Sequence, residues 1–219
     1  MIGLSMISLG NNFVATLLGA VFPRFCVTCG AEGRLLCRAC SETWWHEPPA
    51  AVAGHAAFFA YANPVVRKLI CAWKYDYDVS AFEHLKEQAQ DLLPEFKQAM
   101  RKLGVQAIVP VPLSDRRLRE RGFIQARIIA DWLAHELNVP VLAVLERTHR
   151  LGHQAERSDE ERRLAMADSP FLLKISDGLP STVLLVDDVW TTGATMQAAI
   201  TVLESAGKTK TFALTLAKG

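Results

Sequence analysis

The sequence predicts an α/β fold in which helices cover both faces of a mostly parallel sheet, preceded by a small cysteine-rich appendage. Short apolar runs alternate with amphipathic helical patterns after about residue 50, and the run at 183–186 is apolar at every position, as a strand buried on both faces requires. At 219 residues, half of them hydrophobic, the chain has room for one full domain and a small addition. We therefore expect an appendage at 1–50 and a main domain at 51–219.

The strands and helices of the main domain follow from the spacing of apolar residues. Pro64 suits the first turn of a helix, and Pro94 is expected to interrupt a long one. The polar segment 146–170 is expected to be irregular, apart from a short helix from Ser158. The expected strands are 56–62, 105–111, 140–145, 182–189 and 211–217, and the expected helices are 64–73, 79–102, 122–137 and 193–206.

Charge and hydropathy exclude several classes of protein. The formal net charge is +1 and the pI is about 7.7, which excludes a globally basic binder of nucleic acid but leaves room for a local basic patch. No run of about 18 apolar residues lacks polar breaks, so an integral membrane protein is not expected. Residues 1–22 are uncharged, but they lack the basic start of a signal peptide and are divided by Asn11 and Asn12. We expect a cytoplasmic protein with a short N-terminal helix.

The most informative segment reads VLLVDDVWTTGAT, at 183–195. Two adjacent carboxylates, Asp187 and Asp188, follow the buried strand at the end where α/β folds bind ligands. A turn then opens a helix, and a helix N-terminus presents backbone N–H groups and a positive dipole end to phosphate. Carboxylates there suit ribose hydroxyls or Mg²⁺. The pattern predicts a sugar-phosphate site, and the alternative is ordinary turn and cap chemistry. Its loop residues are Thr191, Thr192, Gly193, Ala194 and Thr195.

Four of the five cysteines lie within fifteen residues, in the pattern C-x2-C-x7-C-x2-C. Two C-x2-C pairs can bring four thiolates to one ion and close a tetrahedral, structural Zn²⁺ site. The alternative is a pair of reduced or redox-active C-x-x-C motifs. Cys71, inside an apolar helical pattern, is expected to be a core residue. The expected zinc ligands are Cys26, Cys29, Cys37 and Cys40.

Segment 183–195 matches the thirteen-residue signature of type I phosphoribosyltransferases, which bind 5-phosphoribosyl-1-pyrophosphate (PRPP). With other segments in a specific order along the chain, it resembles the ComF/GntX group of bacterial competence proteins. The resemblance implies a type I phosphoribosyltransferase-like parallel sheet flanked by helices, in which Asp187 and Asp188 are catalytic and hold the ribose of PRPP. The other segments are CVTCGAEGRLLCRAC at 26–40, WKYDYD at 73–78, VPVPLSDRRLRERGFIQA at 109–126 and LERTHRLGHQAERSDEERR at 145–163.

Segment 101–127 is locally basic, with seven lysines and arginines against two acidic residues. By the resemblance, the loop in this segment binds pyrophosphate, and arginine suits that role because its guanidinium can donate two parallel hydrogen bonds. The alternative is a solvated, arginine-rich surface. The residues that the resemblance assigns to pyrophosphate are Ser114, Arg117, Arg121 and Gly122.

The polar segment 147–170 corresponds by resemblance to a flexible hood that closes over PRPP and excludes water. Arg147 and Gln154 match family positions there, and Lys74 matches one in WKYD, although a surface lysine is an equal alternative. Two positions depart from the family pattern, because Ile124 and Ala165 stand where asparagine is usual.

The resemblance implies a protein that binds PRPP with Mg²⁺ and acts in DNA uptake during natural transformation. As an enzyme, it would displace pyrophosphate from ribose C1 in favour of an acceptor that the sequence does not identify. Two alternatives stay open. One is a module that binds single-stranded DNA and DNA-uptake proteins through the basic segment and the aromatic Trp44 and Trp45. The other is a regulator that senses PRPP, or a related ribose 5-phosphate ligand, without turnover.

Overall fold

A computed structural model describes residues 23–42, 54–114, 118–119, 124–147, 169–174, 179–205 and 209–219. A 3-10 turn at Gln90–Leu92 joins the third and fourth helices. The strands are β1 (His55–Ala60), β2 (Ala107–Pro110), β3 (Leu145–Arg147), β4 (Phe171–Leu173), β5 (Thr182–Trp190) and β6 (Lys210–Lys218); the helices are α1 (Arg38–Glu42), α2 (Pro64–Tyr75), α3 (Val79–Ala89), α4 (Leu93–Leu103), α5 (Gln125–Leu137) and α6 (Ala194–Ser205).

The main sheet has four strands in the order β1-β6-β5-β2, and every neighbouring pair is parallel. The carboxyl ends of these strands therefore share one edge, where β5 ends in Asp187, Asp188 and Trp190. Helices pack on both sides of the sheet, which confirms the predicted α/β class.

The position of strand β5 inside the sheet explains why its sequence is apolar at consecutive positions. Leu184 and Val186 belong to the core on the side of α2, α3 and α5. Val183 and Leu185 belong to the core on the other side, with residues of α6. All four side chains are at most 1% exposed, so the strand is buried on both faces as the sequence predicted.

Helix boundaries follow from local chemistry. Asn63 caps α2, because its side-chain oxygen accepts hydrogen bonds from the backbone N–H groups of Val65 and Val66. The expected helix at 79–102 is divided near Pro94 as predicted, with α3 ending at Ala89 and α4 beginning at Leu93. A left-handed Gly104 ends α4.

The predicted strand at 140–145 is wrong. Val141 forms only a single parallel bridge with Ile108, to which the carbonyl of Pro140 and the N–H of Leu142 contribute one hydrogen bond each. Proline has no N–H to extend such a ladder. The chain then enters β3, which pairs antiparallel with β4 in a separate two-stranded sheet that the sequence did not predict.

Several predictions lie outside the described residues and stay predictions: the N-terminal helix, the helix from Ser158 and the domain boundary near residue 50. Within the described ranges, no helix combines the length and the apolar character needed to cross a bilayer.

Candidate functional site

The carboxyl edge of the sheet holds a cavity of about 290 Å³. The end of β5, the loop 191–193 and the start of α6 form its floor and one side. The last residues of α2, the chain after β2 and the end of β3 complete it. Its lining residues are Lys74, Tyr75, Val111, Pro112, Leu113, Arg147, Asp187, Asp188, Val189, Trp190, Thr191, Thr192, Gly193, Ala194, Thr195 and Met196.

The acidic pair lies close to a lysine that the structure brings in from α2. Nζ of Lys74 is 2.7 Å from Oδ1 of Asp188, and the two side chains are 14% and 11% exposed. The backbone N–H of Asp188 also donates a hydrogen bond of 2.8 Å to Oδ1 of Asp187. A largely buried ion pair of this kind neutralises one carboxylate of the two.

Asp187 has a strongly perturbed pKa. Burial raises it first and the neighbouring charge of Asp188 raises it further, whereas the Asp188 N–H, Lys74 and Arg147 lower it; the resulting pKa is about 7. Asp187 can therefore exchange its proton near neutral pH, which is typical of a group placed for ligand binding or chemistry.

The loop after the acidic pair turns sharply into α6. Gly193 has φ +78°, in the left-handed region that favours glycine, and its carbonyl accepts the first hydrogen bond of the helix from Gln197 at 2.8 Å. Thr191 and Thr192 are exposed beside the cavity, and the Ala194 N–H lies 3.4 Å from Oγ1 of Thr192. The helix N-terminus and these hydroxyls suit a phosphate group.

A stack of two aromatic rings, those of Trp190 and His55, lies against this loop. The rings of Trp190 and His55 lie 3.9 Å apart between centroids and are tilted by 26°. A Cβ at Gly193 would lie 2.6 Å from Cε2 of Trp190, so the indole fills the space that any side chain there would need. Nε2 of His55 lies 3.1 Å from Oγ1 of Thr215, and burial, aided by Lys218, lowers the pKa of His55 to about 4.

The sequence did not single out Trp190 or His55. Trp190 falls inside the signature segment, but its neighbour His55 is on β1, and only the fold brings the two rings together. Tyr75 also lines the cavity, and it lies in the WKYDYD segment, in which the sequence analysis identifies only Lys74 as a candidate.

The remaining predicted residues divide into those that line the cavity, those that are described but do not line it, and those outside the described residues. Lys74 and Arg147 line the cavity, and the guanidinium of Arg147 lies 5.4 Å from the ring centre of Phe171. Ser114 is half-buried beyond the lining residues Val111 to Leu113. The predicted ligands Arg117, Arg121, Gly122 and Gln154, and the departure at Ala165, lie outside the described residues; Ile124 is half-buried and precedes α5.

The cysteine cluster forms a second candidate site, within residues 23–42, which we call the cysteine knuckle. The four Sγ atoms lie within 4.8 Å of one another, and those of Cys29 and Cys37 are 3.7 Å apart. Tetrahedral zinc with Zn–S bonds of about 2.3 Å places its sulfurs about 3.8 Å apart. The donor set and its spacing therefore fit a structural zinc ion.

The thiols of the knuckle differ in acidity. Burial raises the pKa of Cys26, but backbone N–H groups of Cys37, Cys29 and Thr28 outweigh it and lower the pKa to about 6. Contacts with Cys37 and Cys29, followed by burial, raise the pKa of Cys40 to about 12. Four thiols this close cannot all ionise without a cation to offset their charge.

Sequence relatives of the chain are competence proteins. It is 29% identical over 162 residues to competence protein ComFC of Streptococcus pneumoniae, which covers 73% of this chain and 67% of that protein. It is 31% identical to ComFC of Bacillus subtilis, over 46% of this chain and 39% of that protein. It is 27% identical to competence protein F of Haemophilus influenzae, over 85% of this chain and 80% of that protein. No family model matches the chain.

Two solved adenine phosphoribosyltransferases are also similar. The enzyme from Saccharomyces cerevisiae, complexed with an imino-altritol bisphosphate and adenine, gives a TM-score of 0.39 at 15% identity, over 66% of this chain and 72% of that one. The enzyme from Trypanosoma brucei, in complex with AMP, pyrophosphate and ribose-5-phosphate, gives 0.43 at 13% identity, over 79% and 86%. Three competence proteins align to the chain and its signature segment lines the cavity, so the chain is similar to the ComF group of competence proteins.

Proposed function

We propose that the chain binds PRPP with Mg²⁺ at the carboxyl edge of the sheet and acts as a phosphoribosyltransferase-like protein in DNA uptake. One observation supports this most strongly: the acidic pair, the threonine-rich helix start and two cationic side chains line the same cavity. The helix start and the cationic side chains can bind an anion, and the acidic pair can bind a polyol or a divalent cation.

Each part of the ligand is assigned to a different part of the site. The loop from Thr191 to Thr195 binds the 5′-phosphate, and Asp187 and Asp188 accept hydrogen bonds from the ribose hydroxyls. By the family resemblance, Ser114, Arg117, Arg121 and Gly122 bind the pyrophosphate, with Lys74, Arg147 and Gln154 as further contacts.

Mg²⁺ fits the carboxylates of the pair, since it prefers oxygen ligands and binds with substrate phosphates. When bound, it offsets negative charge on the departing pyrophosphate. The ammonium of Lys74 already offsets the charge of Asp188, so the pair can approach an anionic ligand with less repulsion.

In a transfer reaction, the bond between ribose C1 and the pyrophosphate oxygen breaks, and an acceptor supplies the electron pair for the new bond at C1. Release of pyrophosphate from PRPP in the presence of a nucleobase panel would identify an enzyme. PRPP binding without release would identify a sensing protein.

Asp188→Asn tests the ligand assignment. Removing one charged partner of a hydrogen bond in a largely buried site costs about 1.5–3 kcal/mol, so we expect PRPP affinity to fall about 10- to 150-fold. The melting temperature should also fall, because Lys74 loses the partner of its largely buried ion pair. Calorimetric titration with PRPP and Mg²⁺ measures it. The matched control is Asp131→Asn, which changes an exposed carboxylate paired with Arg127. Wild-type protein that fails to bind PRPP would overturn the proposal.

The role in DNA uptake draws on the relatives named as competence proteins. If the basic segment binds single-stranded DNA, affinity falls with salt by a log–log slope of about −0.7 for each phosphate neutralised. Replacing Arg117 and Arg119 together should then make the slope shallower, whereas an unchanged slope would exclude this segment as the DNA site.

The cysteine knuckle is proposed to hold a structural zinc ion. Reduced thiolates are needed for that site, which is consistent with a cytoplasmic location.

A further inference from the structure

The cysteine knuckle packs on α3 and on α2, whose last residues, Lys74 and Tyr75, line the candidate site. Cys26 and Leu36 are 3% and 2% exposed and belong to one hydrophobic core with Leu69, Trp73 and Phe82 of α2 and α3. The knuckle is thus joined to these helices by buried apolar contacts, whose removal from water stabilises the arrangement.

Polar contacts fix the knuckle at two further points. The ammonium of Lys68, on α2, donates a hydrogen bond to the carbonyl of Val27. The guanidinium of Arg24 donates to Oγ of Ser80 at 3.0 Å and lies 3.8 Å from Asp78. Asp78 is the N-cap of α3, so Arg24 contacts the turn that joins the two helices.

The far end of α2 reaches the acidic pair. Lys74 lies on the same uninterrupted helix as Lys68, in its last turn, and contacts Asp188 at 2.7 Å. The chain then turns through Tyr77, whose φ of +56° is unusual for a residue with a side chain. A helix is stiff over twelve residues, so a shift of α2 at the knuckle moves Lys74 at the cavity.

We propose that the cysteine knuckle is a positioning element of the ligand site, which holds α2 and α3 so that Lys74 stays against Asp188. This inference rests on the PRPP-binding function proposed above. Arg24 and Lys68 are then positioning residues, since they act on the ligand through Lys74. The four cysteines would hold a zinc ion, and that ion would keep Cys26 and Leu36 in the core.

The first experiment needs no ligand. Hydrogen exchange is measured on the zinc-loaded protein and after removal of zinc by a chelator. Positioning predicts faster exchange of amides in α2 and α3, with α6 unchanged as the internal reference. Unchanged exchange in α2 would overturn the inference, and so would an equal increase in α2 and α6, because that is general unfolding.

The second experiment measures PRPP affinity in variants that keep all four cysteines. The double variant Arg24→Ala/Lys68→Met should bind PRPP with Mg²⁺ about 3- to 10-fold more weakly, and the same pair of changes should have almost no effect in a Lys74→Met background. The matched control is Arg38→Ala, which changes an exposed knuckle arginine paired with Glu42 and should leave affinity unchanged.

The outcomes separate this inference from the proposed function. Equal effects of the double variant with and without Lys74 would show that the knuckle does not act through this lysine, and would overturn the inference while PRPP binding stands. Failure of the wild-type protein to bind PRPP would overturn the proposed function, and the hydrogen-exchange result would still decide whether the knuckle positions α2.

Discussion

The candidate site at the carboxyl edge of the sheet, which we call the strand-end site, holds two neighbouring carboxyl groups, and the cysteine knuckle holds four neighbouring thiols. The repulsion between their negative charges is offset differently in the two places. At the strand end, Asp188 pairs with Lys74 and the pKa of Asp187 is raised to about 7, so a lysine and a proton supply the positive charge. In the knuckle, the pKa of Cys26 is lowered to about 6 and that of Cys40 is raised to about 12. The four sulfurs lie close enough together to bind one metal ion, which would supply the positive charge there.

The difference separates a ligand site from a structural site. A proton and a lysine can be displaced or moved as a ligand binds, so the strand-end pair can respond to a ligand, which we propose to be PRPP with Mg²⁺. Four thiolates leave no open position on a tetrahedral ion, so a zinc ion bound in the knuckle would contribute to folding rather than to turnover.

Loss of a cysteine ligand should have the largest effect. Cys37→Ser is expected to abolish zinc binding, to release residues 23–42, and to lower the stability of the remaining core, because Cys26 and Leu36 are part of it. Structural zinc contributes on the order of 10 kcal/mol to small metal-binding folds. Elemental analysis and thermal unfolding measure both effects.

Cys71→Ser is the matched control, since Cys71 is half-buried and lies outside the cluster. It should retain one zinc ion per chain. Purified wild-type protein that contains no zinc and has disulfides among these cysteines would contradict the zinc site proposed for the knuckle.

Gly193→Ala should have an intermediate effect. The new Cβ would meet the indole of Trp190, and φ +78° is unfavourable for any residue with a side chain. Overpacking of this kind costs about 1–3 kcal/mol, and the distorted loop should bind PRPP more weakly. Chemical denaturation measures the stability loss.

Gly104→Ala separates the two causes. Gly104 has φ +69°, but no atom lies within 4 Å of the position its Cβ would take. It should therefore show the backbone cost alone. Equal losses at the two glycines would mean that contact with Trp190 does not constrain the loop.

The pH dependence of binding should give the smallest effect. If the ionised form of Asp187 binds PRPP with Mg²⁺, a pKa of about 7 makes affinity fall about tenfold between pH 8 and pH 6. The stability contribution of this carboxyl has the same origin: because its pKa is raised on folding, it favours the folded state most below pH about 4 and less as the pH rises to about 7.

Asp187→Asn reports the titration of the ligand phosphates alone, and subtracting its profile isolates the carboxylate. A wild-type profile that matches the variant would show that Asp187 does not change protonation when the ligand binds.

The main sheet was predictable because its signal is local. The apolar run at 183–186 identified β5 as a strand buried on both faces, and Pro94 marked the division between α3 and α4. The pairing of β3 with β4 was not predictable, because each has three residues and too few positions to show a period.

The site was predictable only in part, for a similar reason. The C-x2-C-x7-C-x2-C spacing predicted that the four cysteines lie together, and they do so in the structure. The position of Lys74 against Asp188 depends on how α2 packs over the sheet, and the stack of His55 on Trp190 depends on the strand order. The assignments of Arg117, Arg121, Gly122 and Gln154 stay predictions.

The strand order also has a consequence for how the protein is made. The two inner strands of the sheet, β5 and β6, follow the two outer strands in sequence, and the side chain of His55 contacts that of Thr215, 160 positions later. The knuckle, α2 and α3 contact one another within residues 23–89 and can assemble on the ribosome early, whereas β1 and β2 emerge with their hydrogen-bonding edges unpaired. Sheets closed by such distant strands fold slowly and expose aggregation-prone edges meanwhile. We therefore expect the main sheet, and with it the candidate site, to form only after β6 has been synthesised.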